Sequence, residues 1–405
     1  GGNDDGTPKV PEEPAWGPLL QACGMAMERL QSIDVDSWAG DISHGDTLTG
    51  ATSGATGIAV GDYDDAQTPS RVIYRPVSGT FQSGENIQVS AVTVCAATAA
   101  PRDDGYRYHP QTPVKFSVAH GGFSGTNTTV GEILKVTAAG EDDAYIKVLA
   151  GSDIGTGSGT LYYEPVIGKV VSGATLTGQT GGDTATTSAA GTPLQNYSLS
   201  IANILDGKAV QSRGARGTWS LDLTAGEPAL ISYEFDRILQ GVADQAPLSG
   251  VSTTPPTPLK FHEANFSVDG MSMPIAGYNL SYNNSISIRP DANESEGGKL
   301  QHITERKPTI RIDPEMVPPG VYDWFTKWSN STTIAILTRM GLAQNAVALT
   351  AHDADPGHAI WIDLPKAYVT TLALGDRDGI LTGDTELALA QDSGDGDDEL
   401  QIYVL

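Results

Sequence analysis

The sequence predicts a mainly β protein, made of sandwich- or barrel-like sheets with short helices and two small all-β modules. Three observations predict it. Gly accounts for 47 of 405 residues and Pro for 24, which suits short strands and tight turns better than long helices. From Asn203 to Phe235 polar and apolar residues alternate, the signature of half-buried strands. One Gly- and Thr-rich pattern also occurs twice. At about 150 residues per domain the length implies two to four domains, and it allows a sizeable core.

In chain order, residues 1–14 are polar and read as an arm, the opening of a segment 1–39. Trp16, Leu19, Leu20, Cys23, Met27 and Leu30 recur at helical spacing, with Pro18 in the first turn. They predict a helix that Gly24 keeps short or kinked. Cys23 on its apolar stripe and Cys95 are too few for a disulfide framework. A reduced core cysteine is expected, which fits assembly in a reducing cytoplasm.

The repeat follows. One copy reads GDTLTGATSGATGIAV (45–60) and YRPVSGTFQSGENI (74–87). The other reads GEILKVTAAGEDDAYIKV (131–148) and YEPVIGKVVSGATL (163–176). Each holds Gly-acid-x-Leu, then Tyr-x-Pro-Val-x-Gly, and LTGATSGATG half-recurs as LTGQTGGDTAT (176–186). Gly, Thr and Ser runs between alternating apolars are turns joining short strands. Two modules are expected, at 40–97 and 120–191. Between them, in 98–119, Val114, Phe116 and Val118 alternate as a strand.

Within 192–246, Asp206-Gly207 is a hairpin turn. Trp219, Leu221 and Leu223 face a core; Ser220, Asp222 and Thr224 face away. Beyond the turn at Gly226, Ile231, Tyr233 and Phe235 alternate with Ser232, Glu234 and Asp236. Residues 247–263 form a Pro-rich linker. In 264–405, Asp269-Gly270 is a second turn, and Ile310 and Ile312 point inward with Arg311 and Asp313 outward. Val321, Trp324, Phe325 and Trp328 are read as one face of a short helix behind Pro318-Pro319.

The runs PLLQACGM (18–25), YRYHP (106–110), LDGKAVQSRGARGTWSLDLTAGEPA (205–229) and ITERKPTIRIDPE (303–315) occur in that order. Together they resemble the tail tube proteins of long-tailed bacteriophages of the siphovirus type. That family reads roughly Pro-Leu-Leu-x-Ala-Cys-Gly, Tyr-x-Pro, Asp-Gly, Gly-Ala-x-Gly and Ala-Gly-x-Pro. The resemblance covers 8–38, 100–118 and 193–405, so the two modules are insertions relative to it. It implies a structural virion protein, assembled from the host cytoplasm into stacked rings around a channel for the genome, beside other tail proteins. TIRID echoes TWSLDL, which suggests two tube domains, the first made of 1–39, the strand segment 98–119 and the sheet 192–246, the second of 264–405, and rings of three chains; without the duplication, rings need six. The modules are expected outside the tube. Asp222, Glu234, Asp236 and Asp313 are the candidate channel-lining carboxylates.

Charge and motifs narrow the remaining classes. With 49 acidic against 24 basic residues, the net charge of −25 repels nucleic acid, so passing DNA is not bound by sequence. No run of 18 apolar residues spans a membrane, and no charged-then-apolar leader opens the sequence. There is no Gly-x-Ser-x-Gly elbow and no phosphate-binding Gly loop. HDADPGH (352–358) fits no zinc spacing. GDRDG (375–379) and DSGDGDDE (392–399) resemble calcium loops in composition only and read as acidic turns. No enzyme, cofactor or metal is expected. The alternatives are a surface adhesin whose modules bind glycans, favoured by clustered aromatics on one module face, and a polysaccharide-degrading enzyme.

Overall fold

The computed structural model describes residues 14–111, 116–141, 143–149, 152–180, 182–193, 197–245, 259–262, 264–290, 292, 297–341, 359–392 and 397–405. The described residues are mainly β, in large antiparallel sheets. The HDADPGH stretch and most of the 247–263 linker lie outside them.

Helix α1 (Gly17–Ala22) is a turn and a half long, and Gly24, at φ +86°, ends it. Met27 and Leu30 therefore do not extend a helix. They belong to β1 (Met25–Asp36), a strand with two allegiances. Its first half sits in a large sandwich. After a register shift between Arg29 and Gln31, its second half enters a barrel. Because that half buries Leu30, Ile33 and Val35, the apolar spacing imitates a helix.

The barrel continues with β2 (Thr47–Gly50), β3 (Thr56–Ala59), β4 (Arg71–Ser78), β5 (Asn86–Val89) and β6 (Val92–Ala97). Around the ring the order is β1, β4, β3, β2, β5, β6 and back to β1. This first module thus includes part of β1, upstream of the expected boundary at residue 40. β7 (Arg102–Pro110) returns to the sandwich beside β1.

The second module comprises β8 (Phe116–His120), β9 (Ile133–Thr137), β10 (Ala144–Val148), β11 (Gly159–Ile167), β12 (Thr175–Gly178), β13 (Thr184–Thr186) and β14 (Thr192–Pro193). Its order is β8, β11, β10, β9, β12, β13, and a bridge from Thr187 to His120 returns to β8. The strand at Phe116 and Val118, expected in 98–119 outside the module, is its first strand. Strand for strand, this is the first module's order.

The two modules also share their turn chemistry. Gly79 and Gly168, ending the Tyr-x-Pro-Val-x-Gly runs, have φ +65° and +78°, and a side chain there would strike Ala55 or Ala144. Glu85 accepts N–H groups from Thr52, Ser53 and Gln82. Burial pushes its carboxyl up, but these bonds outweigh it and hold it below the ordinary range. Glu132 likewise accepts N–H groups from Thr129 and Thr180. In each module a Gly-Glu pair thus ties down the turn after TLTG.

The remaining strands are β15 (Leu199–Leu205), β16 (Lys208–Thr224), β17 (Leu230–Asp244), β18 (Asn265–Val268), β19 (Met271–Ser272), β20 (Gly277–Ser281), β21 (Asn284–Pro290), β22 (Gly298–Arg306), β23 (Thr309–Ile312), β24 (Ile334–Gly341), β25 (Ala359–Arg377), β26 (Ile380–Leu389) and β27 (Gln401–Val404), with helix α2 (Trp324–Ser329). One sheet runs β19, β18, β24, β25, β27, β7, β1. The other runs β25, β26, β23, β20, β16, β17, with β15 beside the first half of β16. β25 serves both, changing sheets at Ala367, which faces Ile334 and Leu389.

Trp219, Leu221 and Leu223 pack in the same core as Ile310, Ile312, Ile334, Ile362 and Tyr108. The two expected tube domains, one of 1–39, 98–119 and 192–246 and the other of 264–405, therefore do not have separate cores; together they build one sandwich. The echoing strands TWSLDL and TIRID lie on either side of β20. Of the face expected on α2, only Trp324 is buried, while Val321, Phe325 and Trp328 are exposed.

Candidate functional site: the polar face of the second sheet

Directly opposed residues in an antiparallel ladder share a face. Asp222 opposes Leu230 on β17 and Asn279 on β20, and Asn279 opposes Arg311 on β23. Glu234 and Asp236 follow Leu230 at steps of two, and Asp313 follows Arg311. All four candidate carboxylates thus lie on one face of one sheet, opposite the core.

Their surroundings differ. Glu234 and Asp236 are exposed on β17. Asp222 accepts a hydrogen bond from the Asn279 amide. Asp313 is a latch. One oxygen accepts N–H from Ala276 (2.9 Å) and Gly277 (2.7 Å), and the other takes the Arg377 guanidinium at 2.8 Å. Arg377 also holds Glu315 at 2.9 Å. Asp313 is thus the one of the four candidates that an ion pair holds among the described residues.

Arg377 and Arg311 are the residues that the sequence reading missed. Arg311, outward as the alternation predicts, grips Asp384 with both Nε and Nη2. Those bonds hold Asp384 below the usual carboxylate range. The signal was the alternation of Thr382, Asp384 and Glu386 along β26. An open groove of about 490 Å³ runs between these pairs, floored by Asp222, Asn279, Arg311 and Asp313 and walled by Asp376 and Asp384.

Among the described residues no strand covers either edge of this sheet. Among the described residues β17 pairs only with β16, and β25 beyond Ala367 pairs only with β26. Exposed apolar side chains sit near both edges: Leu205, Leu239 and Val242 on β15 to β17, and Leu374, Ile380 and Leu381 on β25 and β26.

The acidic motifs have structural uses. In GDRDG, Asp378 and Gly379 turn the β25–β26 hairpin at φ +54° and +86°, and Asp376 accepts the Gly379 N–H. In DSGDGDDE, Asp397 and Glu399 hold Arg306 at 3.1 and 2.6 Å. Among the described residues one trio of carboxylates converges, Asp41, Asp64 and Asp65. Asp41 and Asp64 accept backbone N–H from Asp65 and Ala66, which makes the trio a loop cap. Both cysteines are buried and unlinked, and burial pushes the Cys95 thiol up to about 12.

No protein-family model matches the chain, and no curated protein matches it either.

Proposed function

We propose that the chain is the structural subunit of a bacteriophage tail tube, polymerising into stacked rings that conduct the genome. The observation carrying this reading is the six-stranded sheet with two long edges left unpaired among the described residues and a polar, acid-bearing outer face. Exposed edges of this length invite pairing with another chain. Edge-to-edge joining of β17 to the β25 edge of a neighbour is heterologous, and it closes a ring when the rotation permits. A single sandwich core per chain favours six chains per ring over three. The acid-bearing face then looks into the channel, where Asp222, Glu234 and Asp236 repel phosphate over roughly 8–10 Å. The two barrel modules decorate the outside as insertions.

Electron microscopy of the concentrated purified chain tests this reading, with rings or tubes expected. A chain that stays monomeric at every concentration and salt overturns it. Converting Asp222, Glu234 and Asp236 together to Lys should leave assembly intact and slow DNA ejection, because a basic wall holds DNA through counterion release. Asp313 is left out because its loss also breaks the latch. The glycan-binding alternative has less support: among the described residues the exposed large apolar side chains of the modules are Val77, Val92, Val130 and Val166, with no aromatic among them.

A further inference from the structure

β15, the first half of β16 and the second half of β17 form a three-stranded tongue. The inner face of the sheet continues into it. Ile231, Tyr233 and Phe235 pack against the sandwich core, and Arg237 and Leu239 carry on their alternation. An extra residue on β17 between Leu239 and Gly241 then keeps Val242 on that face, opposite Val210, with Leu205 opposite Lys208. With the shift at Arg213, two bulges bend the tongue away from the sandwich. The tongue's other face is covered by the β21–β22 hairpin, where a Cβ at Gly298 would lie 3.8 Å from the buried Ile238. On the inner face Leu205, Leu239 and Val242 are 72%, 47% and 60% exposed.

The opposite end of the same sheet carries a counterpart. Leu223, Tyr278, Ile312, Thr385 and Leu372 stand in one row across β16, β20, β23, β26 and β25. Two residues beyond that row Leu374 opposes Gly383, and two further on Asp376 opposes Leu381, all on the inner face. Leu374 and Leu381 are exposed, and the Met316 sulfur sits where a Cβ of Gly383 would be. Val210 precedes Leu223 by 13 residues on β16, so the two patches lie about 50 Å apart along the strands, at roughly 3.3 Å per residue. They cannot meet within one chain.

Their side chains match in order and in charge. From its tip inward the tongue presents Val242, Leu239 and then the exposed Arg237. Outward from the sandwich the other end presents Leu374, then Leu381 beside Asp376, then Asp378 in the turn, both acids exposed. At the tip Lys208 and Asp244 pair with each other at 2.8 Å. We infer that the tongue docks on this far end of a second copy, with its aliphatic side chains on Leu374 and Leu381 and Arg237 against Asp376 and Asp378. The choice of a second copy rests on the tube reading, in which this contact joins one ring to the next. The contact is heterologous and repeats without closing. Apolar burial and charge pairing favour the same overlap.

The test mixes two full-length single variants, Val242→Cys and Leu374→Cys, under mild oxidation, with Leu239→Cys and Leu381→Cys as a second pair. The native Cys23 and Cys95 are buried. A disulfide needs Cα atoms within about 7 Å, so mixed disulfides between chains are expected in excess of those that each variant forms alone. Arg237→Glu should weaken association in sedimentation at least about tenfold, and adding Asp376→Lys should restore most of it. Should a charge variant fail to fold, the cysteine pairs decide alone. Wild-type tubes with neither mixed disulfide overturn the docking and leave the tube reading standing. Mixed disulfides in finite oligomers that never become tubes keep the docking and remove the tube reading. A chain that stays monomeric and gives no mixed disulfide at any concentration overturns both. If a thiol reagent labels Val242→Cys in dilute monomer as slowly as Cys23, the chain covers its own tongue and the second copy is overturned as occupant.

Discussion

Asp313 shows how one side chain can join three strands. It sits at the end of β23, caps the start of β20 through two N–H groups and pins the end of β25 through Arg377. Asp313→Ala should cost about 1.5–3 kcal/mol, the range for hydrogen bonds to a charged group, measured by chemical denaturation; a loss below about 0.5 kcal/mol would refute the latch. His44 joins the first module to the sandwich. Its ring nitrogens lie 3.0 Å from Asp363 Oδ2 and 2.7 Å from the Val60 carbonyl, two acceptors that suit the imidazolium. Burial pulls its pKa down, but the hydrogen bond and charge of Asp363 outweigh it, so the folded pKa is raised. The stabilisation is therefore fully present below the unfolded value of about 6.5 and is lost as pH rises through the folded pKa. The melting temperature should fall on that rise, and His44→Gln should remove that part of the slope. At this scale the sequence was half legible. Alternation told which way Asp222 and Asp313 point, because a strand has a period of two. It could not tell that Asp313 meets Arg377, because that contact spans 64 positions.

The TLTG hairpins are the clearest elements. Glu85 satisfies the turn at Thr52 and Ser53, and Glu132 satisfies the turn at Thr180. Glu85→Ala should cost about 1–3 kcal/mol, since it removes a charged acceptor from three part-buried N–H groups, and Glu132→Ala less, with fewer donors involved. Amide exchange should quicken at Thr52 and Ser53 in the first variant and leave Thr180 unchanged; a uniform change across both modules would refute the local role. These hairpins were legible because Gly, Thr and Ser mark turns directly. β1 was not: Met27 and Leu30 bury against different units, so their spacing reflects two surroundings rather than one helical face. The face expected on α2 failed for a related reason. Helical spacing shows which residues align, whereas burial depends on what lies opposite, and only Tyr322 and Trp324 find the core.

Taken as a whole, the molecule treats its two barrels unequally. The second closes its own core from Val118 to Ala185, and its ends are paired, Phe116 to Pro193 and Ser117 to Thr192. The first shares β1 with the sandwich and packs against Trp361, Tyr403 and Leu405. Replacing 116–193 by a Gly-Ser link should leave the rest folded and soluble, with one calorimetric transition removed. Removing 40–97 should expose Trp361 and Tyr403 and yield aggregated protein. Equal tolerance of the two deletions would contradict the shared core. The repeat was visible in the sequence, but this inequality was not, since it depends on where β1 ends up. The paired ends of the second barrel also decide how the chain bears a pull. Tension applied across 111 and 197 reaches the β8–β14 ladder from one end and opens its bonds one after another, as a zipper opens. A pull along the chain thus meets only two opposed pairs, Phe116 with Pro193 and Ser117 with Thr192, before it reaches the core of the second barrel.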